Sequence, residues 1–381
     1  MTGEWKEVEL QKIAIINPPE NLPRGTEAKK IAMEFLQPFT KKIPTYTKEN
    51  YKGGVKFKNG DTLVARITPS LENGKTSFVD LLNDGEIGFG STEFIVLREI
   101  EGISDKHYLF YLACSPEFRD VSIASMTGSS GRQRVQTDVV KKHEFLLPPL
   151  HEQRAIASVL SSLDDKIDLL HRQNKTLETM AETLFRQWFV EEADEEWEEG
   201  VLSEEFDFTM GQSPPGTSYN QEGIGMPMFQ GNADFGFRFP EERVYTTEPT
   251  RIAYPHDTLI SVRAPVGAQN MAKIECCIGR GVAAFRYKAN NGFYTYTYFK
   301  LRSLMSEIKK FNDEGTVFGS ISKTDFIQME IIIPPKNKIE KFEMEAKPLN
   351  DKVVKNCIQI KLLETMRDML LPKLMSGEVR V

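Results

Sequence analysis

One long stretch of this chain occurs twice, 186 positions apart, and that repeat limits the possible folds more than any single residue does. In the first copy, Leu147-Pro148-Pro149 leads through Leu163, Asp165, Lys166, Lys175 and Leu177-Glu178-Thr179-Met180 to Leu184. In the second, Ile333-Pro334-Pro335 leads through Leu349, Asp351, Lys352, Lys361 and Leu363-Glu364-Thr365-Met366 to Leu370, without a gap. Apolar residues in the first copy recur at alternating steps of four and three. Ile156, Leu160, Leu163, Ile167, Leu170, Asn174, Leu177, Ala181, Leu184 and Trp188 form a heptad seam with one polar member, Asn174. The second seam runs Phe342, Ala346, Leu349, Val353, Asn356, Ile360, Leu363, Arg367, Leu370 and Leu374, again with an Asn near its middle. Each seam implies a helix of roughly 48 Å. Its narrow apolar stripe and polar flanks favour helix-to-helix coiled-coil packing over burial inside one large domain.

A divergent stretch precedes each helix, and the two stretches share landmarks. Trp5 opens the first and Trp197 the second; Asp61-Thr62-Leu63-Val64-Ala65-Arg66 is echoed by Asp257-Thr258-Leu259-Ile260-Ser261-Val262-Arg263. A helix-like segment from His107 to Cys114, extending towards Val121, is echoed by Tyr294 to Lys300. The loop Thr127-Gly128-Ser129-Ser130-Gly131 is echoed by Gly315-Thr316-Val317-Phe318-Gly319-Ser320. Strands with few helices and no βαβ rhythm give an α+β class. The expected order is a globular unit at 1–147, a long helix at 148–191, an acidic linker at 192–200, a second globular unit at 201–333 and a second long helix at 334–381. Two consecutive copies imply a pseudo-two-fold axis, about which the long helices pair antiparallel.

Net charge is −7, but Glu191 to Glu199 alone carries seven acids, read here as a solvated hinge. Residues 251–300 hold seven basic and two acidic side chains, so the global value decides little about nucleic acid. Cys114, Cys276, Cys277 and Cys357 show no CxxC spacing, and the N-terminus has no signal-peptide character. The expectation is a cytoplasmic protein with no membrane span, disulfide or metal site.

Three strings invite a catalytic reading and fail it. Asn17-Pro18-Pro19-Glu20 lacks the aromatic of amino-methyltransferases, and His151-Glu152-Gln153-Arg154 has no second histidine. The glycines of Gly85 to Gly90 fit a hairpin turn better than a phosphate cradle. Binding candidates are Arg132-Gln133-Arg134 after the Gly/Ser loop, with Arg66 and Arg263 at the echoed strand ends and Gln212, Gln230, Asn232, Arg238 and Lys323 in the second unit. Arg, Gln and Asn pair bidentately with base edges. A solvated loop and surface salt bridges are the open alternatives.

Leu147-Pro148-Pro149-Leu150-His151-Glu152-Gln153-Arg154-Ala155-Ile156, Leu163-Asp164-Asp165-Lys166-Ile167 and Leu184-Phe185-Arg186-Gln187-Trp188-Phe189-Val190 resemble the conserved region of specificity (S) subunits from type I restriction-modification systems. The ending Leu370-Leu371-Pro372-Lys373-Leu374-Met375-Ser376-Gly377-Glu378-Val379-Arg380-Val381 resembles that family's usual one. The second copy departs at Asn337-Lys338-Ile339, where the first has His151-Glu152-Gln153. The resemblance implies two target recognition domains that read an asymmetric bipartite site on double-stranded DNA across an unread spacer. It implies no catalytic residue and no cofactor on this chain. It further implies two methyltransferase (M) subunits using S-adenosylmethionine, and restriction/translocase (R) subunits using ATP and Mg. A stand-alone DNA-binding regulator and a coiled-coil scaffold without a DNA role are the rival readings.

Overall fold

The computed structural model describes residues 4–263, 265–312 and 319–381. Packing divides the chain into two compact units, Met1–Leu170 with Gln359–Val381, and His171–Ile358. Both boundaries fall inside long helices, Leu150–Arg186 (37 residues) and Lys336–Met375 (40 residues), at the centre of the repeat. Each unit is therefore a globular head with the near half of one long helix and the far half of the other.

In the first unit, Ala14–Ile16, Phe94–Glu99, Thr62–Ala65 and Thr76–Phe78 form a four-stranded antiparallel sheet in that order. A second sheet orders Thr47–Asn50, Glu27–Ile31, Gly88–Gly90 and Val55–Phe57, with its middle pair parallel. The helix Lys106–Cys114 packs on the first sheet. Asp105 caps it by accepting from the amides of His107 and Tyr108, and Tyr108 to Ala113 are all buried. That helix stops at Ser115, which caps a separate helix, Pro116–Ala124, with proline in its first turn; the expected single segment is two.

The second unit repeats this plan in a different sequence. Phe206–Met210, Val282–Tyr287, Thr258–Ser261 and Gln269–Met271 form the matching sheet. Its second sheet again has one parallel pair, Met226–Phe229 with Cys276–Ile278. Matched buried ion pairs brace the two heads. Arg98 holds Asp61 bidentately at 2.6 and 2.7 Å, and Arg286 holds Asp257. The same carboxylates also accept from backbone amides three residues earlier, those of Lys58 and Tyr254. Asp61 and Asp257 are nearly inaccessible, so each needs its arginine.

A two-stranded ribbon closes each head just before a Pro-Pro pair: Lys6–Glu9 with Glu144–Leu147, and Glu198–Val201 with Glu330–Ile333. The second ribbon corrects the linker. Gln187–Glu191 continues the helix as a π turn and Glu198 starts a strand, so the acidic segment is anchored at both ends instead of forming a nine-residue hinge. Gly88–Gly90 is likewise a central strand and not a hairpin turn, because Gly88 and Gly90 lie against Phe57, Leu82, Phe94 and the Ile31 carbonyl with no room for a Cβ. Residues 315–318 of the loop that echoes Thr127–Gly131 lie outside the described residues.

In the first unit, Ile156, Ala157 and Leu160 near the start of one long helix share a core with Leu374 and Met375 at the end of the other. Ile167, Leu170 and Ile360 pack together, with Leu363 beside them. In the second unit, Ala181, Phe185 and Phe189 share a core with Ile339, Phe342 and Ala346. Start against end in both units makes the helix pair antiparallel. His151-Glu152-Gln153 has a structural role here. Glu152 accepts from Trp5 Nε1 at 2.9 Å, and buried Gln153 bonds the Asp105 amide and the Ile103 and Pro148 carbonyls. Ile339 fills the corresponding place with apolar packing, which explains how the second copy dispenses with the triplet.

Candidate nucleic-acid interface

The strands Thr62–Ala65 and Thr258–Ser261 present their following residues at the same edge of each head. Strand register settles their correspondence. Thr62 faces Leu97 and Thr258 faces Phe285, while Ile67 bridges Arg134 and Arg263 bridges Ser320. Arg263 therefore matches Ile67, and Arg66 matches buried Val262; the two arginines are neighbours in the plan and not equivalents.

In the first head, the Gly/Ser loop is a closed turn. Thr127 and Arg134 exchange backbone hydrogen bonds at 3.1 and 2.9 Å, and the Arg66 carbonyl accepts from the Val135 amide. Gly128 sits at φ +131, and a Cβ there would lie 3.1 Å from the Arg132 carbonyl. Arg134 forks onto Glu93 through Nε at 3.0 Å and Nη2 at 2.8 Å. That hydrogen bond, with the charges of Arg134 and Arg66, holds the Glu93 carboxyl below its ordinary range. Arg134 is thus a paired loop anchor, while Arg132 is exposed and Gln133 half-buried, its carbonyl accepting from Thr68. Arg66 is half-buried, with Nε out of solvent and unpaired.

In the second head, Gln230, Asn232 and Arg263 line one cavity of about 450 Å3 together with Ser213 and Arg280. Asp234 shapes its wall by accepting from the Gln230 amide at 2.7 Å, and Arg243 neutralises that carboxylate at 2.6 Å. Arg280 Nε lies 3.3 Å from Ser213 Oγ. Two exposed arginines, an amide pair and a hydroxyl converge there, a donor-rich set suited to base edges and phosphate. Sequence reasoning missed Ser213 and Arg280. The available signal was the local excess of basic residues in 251–300 and the glycines flanking Arg280. Gly281 is needed because a Cβ would meet the Gln230 carbonyl at 2.0 Å.

The remaining candidates lie elsewhere. Gln212 is exposed beside Ser213, its amide bonded to the Ile278 carbonyl, and Lys323 is exposed at the start of the helix Lys323–Gln328. Arg238 does not belong to the surface. Its side chain is 0% exposed, its Nη2 donates to Glu178 at 2.7 Å, and its guanidinium lies 4.0 Å from the centre of the Tyr298 ring. A buried, paired arginine of this kind joins head to helix and cannot reach a duplex.

The seam residues lie along the helix pair, with Leu163, Leu177, Leu349 and Leu363 half-buried and Ile167, Leu170, Val353 and Ile360 buried. Within the second unit, Asn356 Nδ2 donates to Asn174 Oδ1 at 2.9 Å, and both residues are fully buried. Asn174 Nδ2 lies 3.5 Å from Cys357 Sγ. No described helix is long and apolar enough to cross a membrane, and no described cluster of His, Cys, Asp and Glu is arranged to hold a metal ion.

The model of the type I restriction modification DNA specificity domain matches residues 2–179 and again 194–344. Among relatives, a Methanocaldococcus jannaschii protein designated an MjaX type I specificity subunit is 29% identical over 338 residues, covering 84% of this chain and 79% of its own length. The MjaIX specificity subunit of the same organism is 26% identical, covering 72% of this chain and 69% of its own. The crystal structure of a type I restriction-modification S subunit from M. genitalium shares the fold at a TM-score of 0.62 and 18% identity, over 97% of this chain and 96% of that one. Specificity subunits are the non-catalytic components of type I restriction enzymes. With two specificity domains accounting for nearly all of its length, this chain belongs to the type I restriction-modification DNA specificity subunit family.

Proposed function

We propose that this subunit reads an asymmetric, bipartite site on double-stranded DNA, each head reading one half. The observation that carries the reading is the contrast between backbone and side chains. The two heads share sheet order and the same strand-end closure, but present Arg66, Arg132 and Gln133 in one and Gln230, Asn232, Arg263 and Arg280 in the other. Equal scaffolds with different donors recognise different base sequences at related positions.

The helix pair sets the spacer in this reading. Half-sites read from one face of a duplex lie ~34 Å apart per turn, and a 37-residue helix is about 55 Å long, enough to hold two readers at that separation. The pair also offers surfaces to two methyltransferase subunits, which bring S-adenosylmethionine for adenine methylation; restriction/translocase subunits add ATP and Mg. The chain itself binds none of these cofactors and works in the cytoplasm with its DNA. Because its net charge is −7, phosphate contacts are shared with the partners. Co-purification with a methyltransferase, followed by mapping of methylated adenines, tests the whole reading. A complex that methylates without sequence preference would refute it.

A further inference from the structure

The first unit holds a polar cavity of about 600 Å3 between its head and the first long helix, at the end of the sheet opposite Arg66. The matching place in the second unit is nearly full. His256, which corresponds to Gly60, stacks on Tyr294 at 4.3 Å and 17°, and only about 60 Å3 remains. Lys347 covers the Tyr294 ring at 3.8 Å and donates to its hydroxyl at 2.6 Å, while that hydroxyl donates to Asp351. In the first unit Lys106 replaces Tyr294 and Ser161 replaces Lys347, so neither ring nor lid is present. The plan therefore does not require this space to be open; the first unit keeps it so.

Its charges are unbalanced in a specific way. Lys42 is neutralised by Asp80, and Asp105 is committed to capping the helix. Lys41 is 6% exposed and bonds only a neutral group, Ser161 Oγ, at 2.7 Å. Lys106 and Arg154 are exposed at the rim with no ion pair among the described residues; the carboxylates that face these cations are Asp165 and the capping Asp105, with Asp164 also near Lys41. His107 stacks on Phe78 at 4.5 Å, with Nδ1 buried and without a partner. Three cations against two carboxylates leave a net positive charge which, beside an apolar wall in a space of ligand size, makes an anion site. Burial, and for His107 the nearby Lys41, keep Lys41 and His107 below their ordinary pKa values, a penalty that a bound anion relieves.

We propose that this cavity binds a small molecule carrying a phosphate dianion, with Lys41 beneath the phosphate and Lys106 and Arg154 closing over it. The test is calorimetric titration of the full chain with inorganic phosphate and, separately, with a nucleoside monophosphate. Saturable binding is expected, weakened about tenfold by Arg154→Glu or Lys106→Glu and abolished by Gly60→His, which refills the space as His256 does. Tighter binding of the nucleotide identifies a ring-bearing ligand, and equal affinity identifies free phosphate. The His107 imidazole, followed by NMR, should titrate at higher pH when ligand is bound; this readout does not depend on the Gly60 variant folding. Absence of saturable binding with both probes, or binding undiminished by Arg154→Glu, overturns the proposal.

Discussion

Removing Glu178 isolates the energetics of the join between the second head and its helix. Glu178 Oε1 accepts from Arg238 at 2.7 Å and from Arg302 at 3.1 Å, and is 11% exposed. Arg302 is 34% exposed and also approaches Glu182 at 3.9 Å, so it keeps access to water and a second anion. Arg238 has neither. Its Nε and Nη1 are already buried without partners, and only the Tyr298 ring remains beside it. Glu178→Ala therefore strands a buried guanidinium and should cost ~3–5 kcal/mol. The double variant Glu178→Met with Arg238→Met removes both charges while keeping volume, and should lie within about 1 kcal/mol of the parent. Urea unfolding of the parent, Glu178→Ala and the double variant measures the difference. Glu178→Ala within about 1 kcal/mol of the parent would refute the buried-pair account. Arg238→Met should also leave the methylated sequence unchanged; an altered sequence would return Arg238 to the DNA.

Three further outcomes follow from the geometry. Asn356→Ala leaves the Asn174 carbonyl buried without its donor and should cost ~1–3 kcal/mol, whereas replacing both Asn with Leu should stabilise the seam while loosening its register; unfolding midpoints separate the two. Glu205 is buried, accepts from Tyr296 at 2.6 Å, and has its carboxyl pushed above the ordinary 4.5 chiefly by burial. The folded state thus holds its proton more tightly than the unfolded state, so stability falls as pH rises above 4.5 through the raised value. Glu205→Gln should raise the thermal midpoint at about pH 8 and lose that advantage as pH falls towards the ordinary carboxylate range; a pH-independent gain would contradict this. Inserting one heptad into both long helices adds ~10.5 Å and should widen the preferred DNA spacer by about three base pairs; an unchanged spacer removes the ruler.

The helices were legible because a seven-residue repeat writes its period into the sequence, and the one Asn near the middle of each seam marks where Asn174 and Asn356 meet. The heads were legible only as class and landmarks. Their strands are two to six residues long, and Gly88–Gly90 carries no β-like composition; it is held as a strand by Phe57 and Phe94 packing over it. Asp61 and Asp257 stood out as echoed strand starts, but their purpose depends on arginines 37 and 29 residues away. Residue type also misled at Arg238, where the chemistry that suits a base edge serves a buried carboxylate equally well. Arg280 shows the converse. Its flanking glycines and the local basic excess were only a weak signal, and folding alone brings it beside Arg263, Gln230 and Asn232.

The central claim is that two different readers on one helix pair define one split site. Sequencing of methylated adenines in DNA modified by this subunit with its methyltransferase tests it most directly. The account predicts two short, dissimilar half-motifs at a fixed separation, with Arg263→Ala or Arg280→Ala relaxing one half and leaving the other intact. A single continuous motif, or loss of both halves together in those variants, would contradict it.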